Sequence, residues 1–135
     1  MSINFQVGDT LPPLKHTATT FQLFRYSAVT WNPHRIHFDE AYAREEGHAG
    51  VALHSHLRAA LAMRCVTEGL GRGWRVTKVN YRLRTPVYAP AELTYTARVT
   101  AAEGDSLTLE LTEQHGACDV GFEGTVRVST TGATS

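Results

Sequence analysis

The hydrophobic period of this chain changes once, and that change limits the fold more than any other feature. Leu53, Leu57, Ala60, Leu61 and Leu70 recur at helical spacing, with Ala59, Ala62 and Met63 filling in. Polar positions are few, so residues 53–70 are expected to form a helix buried over much of its circumference, along Leu53, Leu57, Ala60 and Leu61. About 18 residues make a helix of about 27 Å, and Gly69, Gly71 and Gly73 end it. From residue 76 the period is two: Val76, Lys78 and Asn80 alternate with Thr77, Val79 and Tyr81. Further strands are expected over 94–100, 106–112 and 122–129, separated by Pro86, Pro90, the Glu103-Gly104-Asp105 turn and Gly116. With an N-terminal strand added, this is an α+β chain whose antiparallel sheet curls around one long helix. The pattern alone does not separate that roll from other α+β folds.

The part before the long helix is helix- and loop-like. It opens as an extended lead-in to Pro12-Pro13 with a turn at Gly8-Asp9. A short helix follows over 21–29 behind Thr19-Thr20, which offers a cap. Pro33 then interrupts helix over 30–37, and 39–46 form one or two helical turns stopped by Gly47. The 135 residues make one domain, long enough for a real core. We expect that domain over 1–129 and a disordered tail over 130–135, TTGATS.

Lys plus Arg and Asp plus Glu balance at 13 each, which disfavours broad nucleic-acid or anionic-membrane binding. The opening MSINFQVGD has no basic and then apolar run, and no apolar segment approaches a membrane span. Cys65 and Cys118 lack any paired spacing and read as thiols in a reducing compartment. A cytoplasmic location is expected.

Five of the seven histidines fall between His34 and His56: His34, His37, His48, His54 and His56. Taken singly, each is as readily an ordinary loop or cap residue. His34-x-x-His37 and His54-x-His56 look like metal-ligand pairs, but residues two apart on a helix diverge, and no cysteine or carboxylate pair completes a set. No metal and no cofactor are expected. The remaining reading is a metal-free acid–base site on a polar loop. The loop would face a helix N-terminus, whose free N–H groups hold developing negative charge.

The stretch SAVTWNPHRIHFDEAYAREEGHAGVALHSHL resembles the hydratase signature of MaoC-like proteins of the hot-dog fold. That signature has an Asp, four residues, a His, then a glycine turn and an Ala-His-Gly step at a helix start. Aligned on the last histidine, Asn32 takes the Asp position and His37 that of the catalytic His, while Gly50-Val51-Ala52-Leu53-His54-Ser55 stands at the glycine turn. Thr30-Trp31-Asn32-Pro33-His34-Arg35-Ile36-His37 is similar in particular to a branch reading Thr, aromatic, Asn, x, His-Arg-Ile-His. That branch includes 3-hydroxyacyl-thioester dehydratases and mesaconyl-CoA hydratase-like proteins. The later segment Tyr81-Arg82-Leu83-Arg84-Thr85-Pro86-Val87-Tyr88 resembles the family's strand reading Arg, x, Pro, Val, and the likeness spans about residues 7–128. Two positions depart from the signature: Asn32 cannot be a general base, and Ser55 replaces a glycine.

The resemblance implies a hot-dog hydratase or dehydratase interconverting enoyl and 3-hydroxyacyl thioesters of CoA or an acyl carrier. It also implies a homodimer or larger hot-dog oligomer. An imidazole suits proton transfer from water at neutral pH, so His37 is the expected base and acid. Asn32 would orient the water, and His34 is a candidate second acid. Backbone N–H groups near His54 and Ser55, beside Gly50, would hold the thioester oxygen, and Arg35 is a candidate anchor for substrate phosphate. Tyr26, Trp31, Leu57 and Met63 are candidate pocket walls, although each is equally a packing residue. Cys65 has no charged partner in sequence and is not expected to be a nucleophile. Two other functions stay open: thioester hydrolysis, for which the loop offers only the charged Asp39, Glu40, Glu45 and Glu46, and a non-catalytic subunit of a heteromeric hydratase.

Overall fold

A computed structural model describes residues 5–116 and 119–131, so Cys118 and residues 132–135 of the expected tail lie outside the described residues. The elements in chain order are β1 (Leu14–Ala18), α1 (Thr20–Thr30), a 3-10 turn (Arg35–His37), α2 (Glu40–Glu45) and α3 (Ser55–Leu70). Strands β2 (Trp74–Leu83), β3 (Ala91–Glu103), β4 (Ser106–His115) and β5 (Asp119–Thr130) follow. The strands form one sheet in the order β1-β3-β4-β5-β2, antiparallel throughout. The register shifts between Val76 and Lys78, between Val99 and Ala101, and between Glu113 and Gln114. Such irregularities bend strands and sharpen their twist, which curls a long sheet.

The expected α+β arrangement is the one observed, with corrections of detail. The long helix begins at Ser55, with His54 as its N-cap. Its buried face carries Leu57, Arg58, Leu61, Ala62, Cys65, Val66 and Leu70, and Ala60 is exposed. The reason is angular. Rows 57-61-65 and 58-62-66 together set the face, and Ala60 lies on the far side of Leu57 from Arg58. The strands run longer than the alternation suggested. Thr130 still belongs to β5, and the N–H of Thr131 donates to the carbonyl of Gly73 at 2.8 Å.

Against α3 lie Leu93, Tyr95, Ala97 and Val99 of β3, Leu107, Leu109 and Leu111 of β4, and Phe122, Val126 and Val128 of β5, all buried. Alternation puts these on one sheet face. Cys65 is part of this core: its thiol donates to the Tyr95 carbonyl at 3.5 Å, and burial raises its pKa, the opposite of an activated nucleophile. No helix among the described residues is long and apolar enough to cross a membrane.

Candidate active site

The loop that gathers the histidines is built by successive caps. Thr19 caps α1 by accepting from the Gln22 N–H at 3.1 Å. The helix ends at Trp31, which is left-handed at φ 57° and 89% exposed, and the N–H of Asn32 bonds back to Ser27 O at 2.8 Å. That conformation is costly for a side chain larger than glycine, by about 1 kcal/mol or more, and the chain turns there. Asn32 Oδ1 accepts from the His34 N–H at 3.2 Å, and His34 Nδ1 accepts from the Ile36 N–H at 3.4 Å. Both side chains therefore shape the entry to the 3-10 turn that carries His37.

His37 is fixed by a reciprocal link between that turn and the segment before α3. The N–H of Ala52 donates to Ile36 O at 2.9 Å, and His37 Nδ1–H donates to Ala52 O at 2.7 Å. A carbonyl only accepts, so the proton of neutral His37 stands on Nδ1 and Nε2 keeps its lone pair. Residues 51–53 are held on their other side by Leu53 N–H to Val87 O at 2.8 Å and Ala89 N–H to Val51 O at 3.0 Å. His37 is buried, and burial is the main cause that lowers its pKa. The Ala52 bond opposes the shift, and His34 and His48 add to it.

His54 completes the cluster. Its ring stacks on His37 with centroids 3.8 Å apart and planes 18° apart, and Tyr26 of α1 lies tilted against it at 4.7 Å. His54 Nε2 bonds to Ser27 Oγ at 2.7 Å, while Nδ1 is buried with no partner among the described residues. Burial first, then the neighbouring His37 and His56, lowers the His54 pKa to about 4. As N-cap its side chain makes no cap bond, so the N–H groups of the exposed first turn, Ser55 and His56, have no side-chain acceptor from it.

The other expected residues lie further from this stack. His34 is exposed, its ring 5.9 Å from that of His37. Arg35 is exposed, bonds Asp39 through Nε and Nη2 at 3.1 and 2.7 Å, and lies 4.5 Å over the Tyr42 ring. That pairing also pulls the Asp39 carboxyl below its usual range. Gly50 is buried, and a Cβ there would make only an ordinary contact with Tyr88, 3.7 Å away. His48 bonds the Tyr88 hydroxyl at 3.0 Å. A groove of about 280 Å³ is lined by Phe24, Ser27, Ala28, Trp31, Asn32, Pro33 and Phe38. Of the four expected wall residues only Trp31 lines it. Leu57 is core, Met63 packs on the core, and Tyr26 serves His54 instead. His37 is not one of its walls; its ring stacks on His54 and its Nδ1 bonds Ala52 O. Among the described residues no three His, Cys, Asp or Glu side chains converge to hold a metal ion.

Ser27 and a second buried set were not anticipated. Arg58, one turn into α3, pairs with Glu113 of β4 at 2.6 Å, and the Tyr95 hydroxyl donates to the same carboxylate at 2.6 Å. A signal existed: Glu113 continues the inward series Leu107, Leu109, Leu111, so alternation points its carboxylate into the core.

The sequence pattern of the family described as hydroxyacyl-thioester dehydratase type 2 matches residues 8–89. Mesaconyl-C(4)-CoA hydratase of Chloroflexus aurantiacus is 36% identical over 96 residues, which cover 70% of this chain and 32% of that protein. The chain thus spans about a third of that relative's length. An (R)-hydratase from A. caviae involved in PHA biosynthesis superposes with a TM-score of 0.89 at 20% identity, over 96% of this chain and 99% of that one. A chain of the ChsH1–ChsH2 complex from Mycobacterium tuberculosis gives 0.87 at 23% identity, over 93% and 98%. The shared fold is the hot-dog fold, an antiparallel sheet wrapped on a helix.

Proposed function

The chain belongs to the hydroxyacyl-thioester dehydratase type 2 family, and from that premise we propose that it interconverts an enoyl thioester and a 3-hydroxyacyl thioester by adding or removing water. The observation that carries the reading is the His37 Nδ1–H bond to Ala52 O, which leaves Nε2 as an unprotonated base at neutral pH. In the hydration direction Nε2 takes a proton from water, and the water oxygen bonds the β-carbon. The proton then passes to the α-carbon, so none is gained or lost overall. Charge that develops on the thioester oxygen is held by the free N–H groups where α3 begins, at Ser55 beside His54. Asn32, with Oδ1 engaged by His34, orients the water through its amide N–H groups. His34, exposed with its ring 5.9 Å from that of His37, is a second acid in this reading. Arg35 reaches a substrate phosphate only by sharing or leaving Asp39, so its part is the weakest.

The substrate is a thioester of CoA or of an acyl carrier, with no metal or cofactor, acting in the cytoplasm. The protein works as a homodimer or larger hot-dog oligomer. Strand β2 supports this assembly. It is a sheet edge ten residues long, exposed from Lys78 to Arg82, with backbone groups free to pair with a second copy. Hydrolysis is disfavoured because Asp39 is bound by Arg35 and Glu40, Glu45 and Glu46 face solvent. The non-catalytic reading is favoured by one feature only, the amide Asn32 in place of a carboxylate.

Incubation with crotonyl-CoA and longer enoyl-CoAs, following loss of the enoyl absorbance, tests the activity. Turnover is expected, and His37→Ala should lower it by about 10²-fold or more while the circular dichroism spectrum is kept. No turnover on any enoyl thioester would leave the non-catalytic reading.

A further inference from the structure

We propose that His54 is a positioning residue for His37, a neutral aromatic platform locked by Ser27 against which the His37 ring is held and on whose face its imidazolium forms. The inference rests on His37 being the base of the proposed reaction. Three features of the geometry lead to it. The rings are stacked nearly parallel at 3.8 Å and 18°, so the plane of His37 is set by His54 on one face and by the Ala52 bond at one edge. His54 is only 2% exposed and Ser27 only 6%, so neither is held by solvent. The third feature is the tautomer. Among the described residues Nδ1 of His54 is buried without a partner, and a bare buried N–H is rarer than a bare acceptor. The proton of His54 therefore stands on Nε2 and is donated to Ser27 Oγ.

This arrangement keeps His54 neutral near neutral pH, since a second proton would have to sit on Nδ1, which is buried without a partner among the described residues. A charged neighbour at that distance would oppose a proton on His37, whereas the neutral ring covers one face of His37 without adding charge. The titratable groups facing the pair are His34 at the N-cap of the 3-10 turn, His48 from the loop after α2 and His56 from the first turn of α3. Tyr26 and Ser27 face it from α1, and Arg35 and Asp39, the nearest charges along the chain, are spent on each other. His54 thus acts through its ring face and its neutrality, and carries no proton of the reaction.

The test compares His54→Ala with the double variant Ser27→Ala/His54→Phe, which keeps an aromatic platform and removes both ends of the buried hydrogen bond. Proton NMR titration of His37, assigned through His37→Gln, reads the effect without any substrate. In His54→Ala, the opened face should raise the His37 midpoint by about half a unit or more toward 6.5, because burial is what lowers it. In the double variant the midpoint should stay near that of the wild type. On an enoyl-CoA, His54→Ala should lose about tenfold or more in kcat with little change in KM, and the double variant should recover most of it. An unchanged His37 titration in His54→Ala overturns the proposal. So does a folded double variant as slow as His37→Ala, which would make His54 a proton carrier. A wild type inactive on every thioester, with the NMR pattern intact, overturns the hydratase reading and leaves the platform standing.

Discussion

Arg58 of α3 and Glu113 of β4 meet in the core with Nη2 and Oε1 2.6 Å apart, their side chains 3% and 0% exposed. Nothing charged survives such burial unless its hydrogen bonds are also met, and here they are. Arg58 donates to the carbonyls of Thr85 at 3.0 Å and Gly121 at 2.8 Å, and Glu113 accepts from Tyr95. Burial and the carboxylate push the Tyr95 phenol far above its ordinary range, so it stays a donor. Gly121 leaves the room this needs, since a Cβ there would lie 2.8 Å from Arg58 Nη2 and 2.9 Å from Glu113 Oε1. The pair ties the first turns of α3, and with them His54, to the sheet.

Glu113→Gln should destabilise the fold by about 3–5 kcal/mol, because it leaves the guanidinium buried without its counter-charge. Removing both charges in Arg58→Met/Glu113→Leu should cost less than that single change. Urea unfolding midpoints of the two variants check the order.

Stability should fall on mild acidification through His54. Its folded pKa, about 4, lies below the unfolded value of 6.5, so the unfolded chain binds the extra proton first. The contribution is complete above pH 6.5 and is lost as pH falls toward 4, to a limit of roughly 3 kcal/mol. His37, also lowered, acts with the same sign. Urea unfolding at pH 7.5 and 4.5 should show a larger loss for the wild type than for Ser27→Ala/His54→Phe, which has nothing to protonate at that position.

Asn32→Asp keeps an acceptor for the His34 N–H and adds a charge to the loop that carries His37. A carboxylate there favours the imidazolium, so the acidic limb of the pH–rate profile should move up by about one unit. The variant should be slower than the wild type at pH 6 and approach it above pH 8. An unmoved limb would place Asn32 too far from His37 to share its water.

Light scattering at micromolar concentration should give a mass of twice 14.9 kDa or a larger multiple. Val79→Pro, in the middle of the exposed β2 edge, should shift that mass toward a single chain, since proline removes a ladder donor.

Much of the scaffold was written locally, and so it could be read locally. The switch from helical to alternating period located α3 and the four following strands, and Thr19, Pro33, Asp39 and Gly47 marked where the short elements start and stop. These depend on dihedral preferences and on which neighbours a side chain has along its own element, which a sequence states outright. The histidine cluster and the likeness of residues 30–37 to a hydratase signature were equally visible. What no local pattern contains is a meeting between elements. Ser27 with His54, His54 with His37, and Arg58 with Glu113 are each set by how α1, the 3-10 turn, α3 and β4 pack. The tautomer of His37, the neutrality of His54 and the exposure of Ala60 follow from that packing. Burial and the partner offered by a distant backbone decide them, and neither exists until the chain has closed on itself.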